Sequence, residues 1–485
     1  MKRYIAIISI LFFSACDVLD QEPVSVIAGA NFYQNAEQVE AALSAAYDIY
    51  QTGTIGRDFF ASATAGSDQS ETDPTTGGNN NRMNGHAVNA DHGPARDLWR
   101  ESYQAIHRAN DVLENLPGID HPTLNTGNKR DELRGEALFL RGFFYFTLAK
   151  WYGRVPLILS TTTSSDPEVL NVPRDELPLI YDQIITDLTE AADLLPMSYD
   201  IDIFTKGRAT QGAANGILAK VYLRRAYTDF AGPNDFQNAA DRAQQVINSG
   251  MYELVDAEDY ASMFAADGGN TVESIFEIQT EEVGLNEGDN LHREFERREN
   301  GGRARARILP SPKLINAYLE HPGDIRYLTT IDSMDADINN GFAQYSNKYD
   351  RNNGTLIPNM IVLRLADVIL VRAEALNQVG MTAEAIQLLN QIRERAQIPA
   401  TTAQTQEEVF FAIQDERFLE LAFEGKRWHD LSRFPANNYE FARNEFAETY
   451  ELSQMDESEL FQLLWPINNR ELDINDNLVQ NPGYE

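Results

Sequence analysis

A single cysteine, Cys16, stands in 485 residues, so no disulfide can form within the chain and packing alone must hold the fold. Long apolar runs are also missing. A bilayer-spanning helix needs about 20 apolar residues, and only the N-terminal run from Tyr4 to Phe13 approaches that length. Histidine is scarce, with seven in the chain, and no pair stands at His-x-x-x-His spacing. A glycine-rich phosphate loop and a nucleophile elbow are absent as well, so zinc, nucleotide and acyl-transfer chemistry have no handle, and no cofactor or metal is expected. Basic residues are outnumbered 40 to 74, for a formal net charge of −34. Binding to nucleic acid or to an anionic membrane surface depends on neutralising phosphates with Lys and Arg, so both are excluded as general partners.

What is present begins at the N-terminus. Lys2 and Arg3 precede the apolar run, and Ser14-Ala15-Cys16 follows it. This pattern predicts a lipoprotein export signal over residues 1–15, with the Cys16 thiol carrying the lipid after cleavage. Residues 16–30 then read as an extended lipidated tether, and 31–485 as the folded body.

The body reads as helices. Val39, Leu43, Ala46, Tyr47 and Tyr50 fall at helical spacing, and Leu98 to Leu113 repeats the pattern. Glu132 to Trp151 is apolar over more than one face, as a buried helix would be, and Leu177 to Leu195 is its expected partner. Ala213 to Tyr227 pairs with Asn238 to Ile247, closed by Gly250. Leu363 to Val379 pairs with Thr382 to Arg393. Spacings such as Ala219, Tyr222, Ala226 before Ala239, Ala243, Ile247 resemble tetratricopeptide helix pairs, whose apolar faces must stack on one another. The expected fold is therefore mainly α, a tetratricopeptide-like helix-pair scaffold with pairs near 36–116, 131–195, 210–250 and 361–397. Long irregular insertions at 51–97, 251–360 and 434–485, with a few short strands such as Ser274 to Ile278, interrupt it. Recognition on such a scaffold belongs in the loops.

Several stretches taken together resemble one family, the SusD/RagB outer-membrane lipoproteins of the Bacteroidetes. They are Leu464-Trp-Pro-Ile467 with Asn475 and Gln480-Asn-Pro-Gly-Tyr484, Glu416 to Leu431, Arg364 to Asn377, Arg141-Gly-Phe-Phe-Tyr-Phe146 and Trp151-Tyr-Gly-Arg-Val-Pro156. The resemblance covers nearly the whole mature chain. It implies a helical glycan-binding protein without catalysis, anchored at the cell surface in the outer membrane, that serves as a lid over a TonB-dependent transporter.

The run from Glu416 to Asp430 holds Glu420, Glu424, His429 and Asp430, a set that suggests an acid, a base and a metal ligand. A bland account covers it better: Glu420 and Glu424 are four apart, and Arg417, Lys426 and Arg427 stand close enough to pair with them on one structural helix. Arg364, Asp367, Arg372 and Glu374 are expected to pair internally in the same way. Sugar recognition instead needs flat aromatic faces and planar hydrogen-bonding groups. The loop at 66–92 offers Asp68, Asn80, Asn81, Arg82 and His86; that at 291–307 offers His292, Phe295, Arg303 and Arg305, whose guanidinium forks also suit a carboxylate or sulfate. Trp99, Trp151, Trp428 and Trp465 sit in helical or motif contexts and are expected in the core. The sequence is best accounted for as an oligo- or polysaccharide binder; a peptide ligand, a surface-anchored glycoside hydrolase acting through two carboxylates, and a purely structural adaptor are the alternatives.

Overall fold

The computed structural model describes residues 32–51, 55–72, 78–162, 164–199, 206–265, 268–280, 291–295, 307–332, 345–349, 358–433, 441, 442, 444, 445 and 461–485. Cys16, the signal segment and the tether lie outside these residues.

The scaffold is a continuous helix array. Helices α1 (Ala36–Gln51), α2 (Ile55–Ala65), α3 (Asn79–Asn84), α4 (Gly93–Asn115), α5 (Lys129–Tyr152), α6 (Leu177–Leu194), α7 (Gln211–Arg225) and α8 (Asp235–Asn248) precede the long central insertion. Neighbours pack in sequence, α1 on α4, α4 on α5, α5 on α6, α6 on α7 and α7 on α8. Apolar stripes dictate this: Leu43, Ala46 and Ile49 of α1, with Leu98, Ala105, Ile106 and Ala109 of α4, are all buried. Helix α5 is buried on nearly every face, as its all-round apolar sequence requires. Its Gly142 admits Leu188 of α6, since a Cβ there would stand 3.0 Å from the leucine Cγ. Past Asn248, Gly250 takes φ 68°, the left-handed conformation that ends a helix cheaply only in glycine.

The central insertion contributes β2 (Ser274–Ile278), α9 (Leu291–Phe295), β3 (Ile308–Pro310), α10 (Pro312–Leu319), α11 (Arg326–Thr330), β4 (Ile331–Asp332) and β5 (Tyr345–Ser346). The array then resumes: α12 (Leu365–Gln378) packs on α8 across the insertion, and α13 (Thr382–Arg395) packs on α12. Helix α12 starts at Leu365 rather than Leu363. Met360–Arg364 is instead strand β6, antiparallel to β2, and α12 runs Leu365–Gln378. The continuous apolar run Met360-Ile-Val-Leu is buried throughout, a pattern that fits a covered strand as well as a helix. Likewise the 51–97 stretch, read as irregular, carries α2, α3 and the strand β1 (Ser70–Thr72).

The charged 416–430 run is structural, but not as one helix with local pairs. Helix α14 (Gln406–Glu420), opened by a Thr405 to Glu408 capping box, ends at Glu420, and α15 (Arg427–Leu431) follows a turn in which Phe423 and Gly425 take φ 64° and 66°. Glu424 therefore lies off the helix, and the partners of Glu420 and Glu424 all come from outside the run. Glu420 accepts from Arg326 (2.9 Å), Arg364 (2.6 Å) and Arg395, while Glu424 accepts from Arg364 and Lys348 at 2.7 Å each. Arg417 pairs with Asp367 and Asp430 at 3.0 Å, and Arg427 donates both arms to Asp68 at 2.8 Å. Arg364 and Arg372 do not pair with their neighbours on the chain; Arg372 donates to the Ala240 carbonyl and Glu374 is held by Arg433. These buried ion pairs tie the insertion and the C-terminal helices onto the array.

Candidate functional site

The two polar loop segments singled out in the sequence meet in the fold. Strand β1 pairs antiparallel with β3 in the register Ser70 to Pro310 and Thr72 to Ile308. Across the join, Asn80 Nδ2 donates to Glu294 Oε2 at 2.9 Å, and the Arg307 amide donates to the Glu294 carbonyl at 2.8 Å. Helix α3 thus sits against α9 with one side outward. Asn79 and Arg82 are exposed and Asn81 is half-buried. The Asn81 Oδ1 is buried and has no hydrogen-bond partner among the described residues, and there the Arg82 side chain makes only a 3.5 Å contact to Asn89.

Beneath this face stand most of the other predicted contacts. Asp68 is fully buried; burial alone would raise its pKa, but Arg427 and Lys313 hold it at about 2, so it is a carboxylate fixed in an ion pair. Asn80 is spent on Glu294. His86 is buried at φ 47° and stacks on Trp428 with centroids 6.0 Å apart. Burial lowers its pKa to about 4, leaving the imidazole neutral at physiological pH. His292 is buried in α9, and Phe295 is wedged between Tyr349 and Phe423, each 5.4 Å away. The structure therefore buries Asp68, Asn80, His86, His292 and Phe295, and leaves Arg82 exposed and Asn81 half-buried on α3. Arg303 and Arg305 lie outside the described residues. The support is close-packed: a Cβ on Gly66 would stand 2.8 Å from both Met83 and Trp428.

A second concavity was not foreseen. A cleft of about 400 Å³ opens between α4, the segment 156–172 and α16 (Asn469–Ile474). Trp99 and Tyr103 line its wall, their rings 5.2 Å apart, and His107, Asn171, Glu471 and Asn475 supply polar groups. Ligand pockets are commonly this size, with an apolar wall and a few polar groups. Its outer wall is the C-terminal motif, strapped down by Asn475 Nδ2 to the Val172 carbonyl (2.9 Å), by Arg174 to the Val479 carbonyl (2.7 Å), and by Asn481 to the Tyr152 and Trp465 carbonyls (3.0 and 2.8 Å). The signal was in the sequence as the quoted C-terminal motif, but only the fold shows what that motif closes. All four tryptophans are buried, Trp151 lying 3.8 Å from Trp465 centroid to centroid.

Among the described residues no group of three His, Cys, Asp or Glu is placed to hold a metal, and no helix is long and apolar enough to cross a membrane.

Comparison with known proteins agrees with this architecture. A model of the SusD family matches residues 338–484, and one described as starch-binding associating with outer membrane matches 17–223. The SusD-like protein P2 of Formosa agariphila is 27% identical over 100% of both chains, and a SusD-like protein of Bacteroides ovatus is 26% identical over 87% of this chain and 80% of its own. Among solved structures, a laminarin binding SusD-like protein superposes with a TM-score of 0.77 at 26% identity, covering 93% of this chain and 100% of the other. A SusD homolog from Bacteroides thetaiotaomicron reaches a TM-score of 0.79 at 24% identity over 93% and 98%, a likeness of fold. A mainly helical array with a few short strands, matched by these models at both ends and by these relatives along its length, places the chain in the SusD/RagB family of glycan-binding proteins.

Proposed function

We propose that this chain is a cell-surface glycan-binding lipoprotein of the outer membrane that captures oligo- or polysaccharide and passes it to a TonB-dependent transporter, without cleaving it. The likeness to a laminarin-binding protein over almost the full length of both chains carries the reading, and makes β-glucan the first ligand to try. The acids of the 416–430 run support a binding role, since Glu420, Glu424 and Asp430 are each locked by arginine or lysine. A carboxylate in that state is neither a proton donor nor a free nucleophile.

Capture is assigned to the α3 face, where Asn81 and Arg82 present planar donors and acceptors of the kind that read sugar hydroxyls. Arg82→Ala and Asn81→Ala are each expected to weaken binding of a laminarin oligosaccharide by about 1–3 kcal/mol, roughly 5- to 150-fold, with unfolding midpoints unchanged because Arg82 is exposed and the Asn81 Oδ1 gives up no hydrogen bond among the described residues. Isothermal titration checks this. Unaltered affinity in both variants, with loss in Tyr103→Ala, would move the site to the cleft beside α4.

A further inference from the structure

A pocket in the body of the array carries an uncompensated positive charge, in a protein whose net charge is −34. Helix α5 lends it Phe143, Phe146 and Lys150, and the neighbouring α7 lends Ile217, Lys220 and Arg224, the same spacing on each helix. Phe59 and Phe60 of α2 form another wall, and the turn into α15 adds Lys426 and His429. Its volume is about 70 Å³. One water needs roughly 10–15 Å³ on such a measure, so a polyatomic ion of a few heavy atoms fits. None of the lining residues belongs to the α3 face or to the cleft beside α4.

Six cationic side chains line the pocket, Lys150, Lys220, Arg224, Arg417, Lys426 and Arg433. Three have carboxylate partners: Lys220 on Asp367, Arg417 on Asp367 and Asp430, and Arg433 on Asp430 and Glu374. The other three have none among the described residues. Lys426 Nζ donates to the Val362 carbonyl at 2.7 Å and lies 5.5 Å from the centre of the Phe60 ring. Arg224 donates only to neutral groups, among them the His429 carbonyl at 3.0 Å and the Ser432 hydroxyl at 3.2 Å. Among the described residues Lys150 makes no hydrogen bond or ion pair; its ammonium stands over the rings of Phe146 and Phe59, 4.9 and 5.6 Å from their centres. Both ring nitrogens of His429 are buried, with no hydrogen-bond partner among the described residues. Buried charges are ordinarily paired, because removal from water is costly. Here Lys150 and His429 share one cavity with no hydrogen-bond acceptor among the described residues, while Arg224 and Lys426 reach only neutral oxygens.

We propose that this pocket is an anion site, taking a tetrahedral oxyanion such as sulfate or phosphate between Lys150, Arg224, Lys426 and His429, with the phenylalanine wall excluding water. An oxyanion would supply acceptors to all four groups at once, as charge-assisted hydrogen bonds. With the site empty, burial and then the neighbouring cations Lys220, Arg224 and Lys426 push the Lys150 pKa well down, and burial and then Lys220 push Lys426 to about 7. That is the cost the anion would remove. The oxyanion is either free or a substituent on a saccharide, and the probes separate the two.

The test is calorimetric titration of the full chain with inorganic sulfate, inorganic phosphate and galactose 6-sulfate, and thermal unfolding in each at ionic strength held constant with sodium chloride. Wild type is expected to bind at least one probe at 1:1 stoichiometry and to unfold at higher temperature in its presence. Lys150→Met is expected to bind at least tenfold more weakly and to lose that rise, whereas Lys150→Arg keeps it. Should Lys150→Met fail to fold, Lys426→Met serves in its place. Binding of inorganic anions alone makes this a resident ion site; binding of the sugar sulfate as well makes it a ligand subsite. An equal response of wild type and the methionine variants to every probe would overturn the proposal, and leaves the glycan reading at Arg82 untouched.

Discussion

Glu420→Ala is expected to lower the stability of the folded chain by about 3–5 kcal/mol, the usual result of removing one partner from a buried ionic network. Its carboxylate collects Arg326, Arg364 and Arg395, which come from the central insertion, the strand before α12 and the end of α13. Without it these three guanidinium groups remain buried and short of an acceptor. The exposed pair Arg134 and Glu190, both more than a third accessible, should by contrast contribute under about 1 kcal/mol. Urea unfolding of Glu420→Ala and Glu190→Ala side by side checks the contrast; similar midpoints for the two would show that the network does not hold the insertion to the array. The same carboxylate sets a pH dependence. Burial would raise the Glu420 pKa, but Arg395, Arg364 and Arg326 hold it well below the ordinary glutamate value, and Asp367 is depressed against burial by Lys220 and Arg417. A depressed pKa in the fold contributes stability that is complete above the unfolded-state value, about 4, and drains away as pH falls through the native one. Urea midpoints should therefore fall steeply below about pH 4.5, and Glu420→Ala should flatten that fall.

The second large effect lies at the other end of the chain. Cys16→Ala is expected to abolish membrane attachment, moving the protein wholly from the membrane to the soluble or retained fraction. The proposed anchor is two acyl chains, and each buried methylene contributes about 0.8 kcal/mol, so no surface contact of a −34 protein would replace it. A tether from Asp17 to about Ala30, proposed with the anchor, would reach no more than about 3.3–3.6 Å per residue if extended, room for the body to swing. Gentle detergent extraction of wild-type membranes is expected to recover a β-barrel transporter with the chain, as a lid would require. Full membrane partitioning and palmitate labelling of Cys16→Ala would refute the anchor; recovery only as a free monomer under every ligand condition would refute the lid.

The array was legible because α helices write their burial at a fixed period. Val39, Leu43 and Ala46, or Ala239 and Ala243, mark a buried stripe whatever surrounds them. What escaped is what depends on distant pairing. Met360 to Arg364 is apolar without a period, and only its partner β2 makes it a strand. The turn at Phe423 and Gly425 broke a run that charge spacing alone had joined into one helix. In the loops, polarity picked out 66–92 and 291–307, whose described residues meet through Asn80 and Glu294, but not which side chains face out. Asp68, Asn80 and Asn81 all carry short planar polar groups; what separates the first two from Asn81 is Arg427 and Glu294, 359 and 214 residues away. The cleft beside α4 was hidden for a related reason, as its two walls come from opposite ends of the sequence.

The central claim is binding without turnover, and one measurement addresses it: native electrophoresis of the purified chain through gels containing laminarin or starch, followed by assay of the same mixtures for new reducing ends. Retarded migration in at least one glycan, with no reducing ends released after prolonged incubation, is the predicted result. Unretarded migration in every glycan, or a steady release of reducing ends, would contradict it.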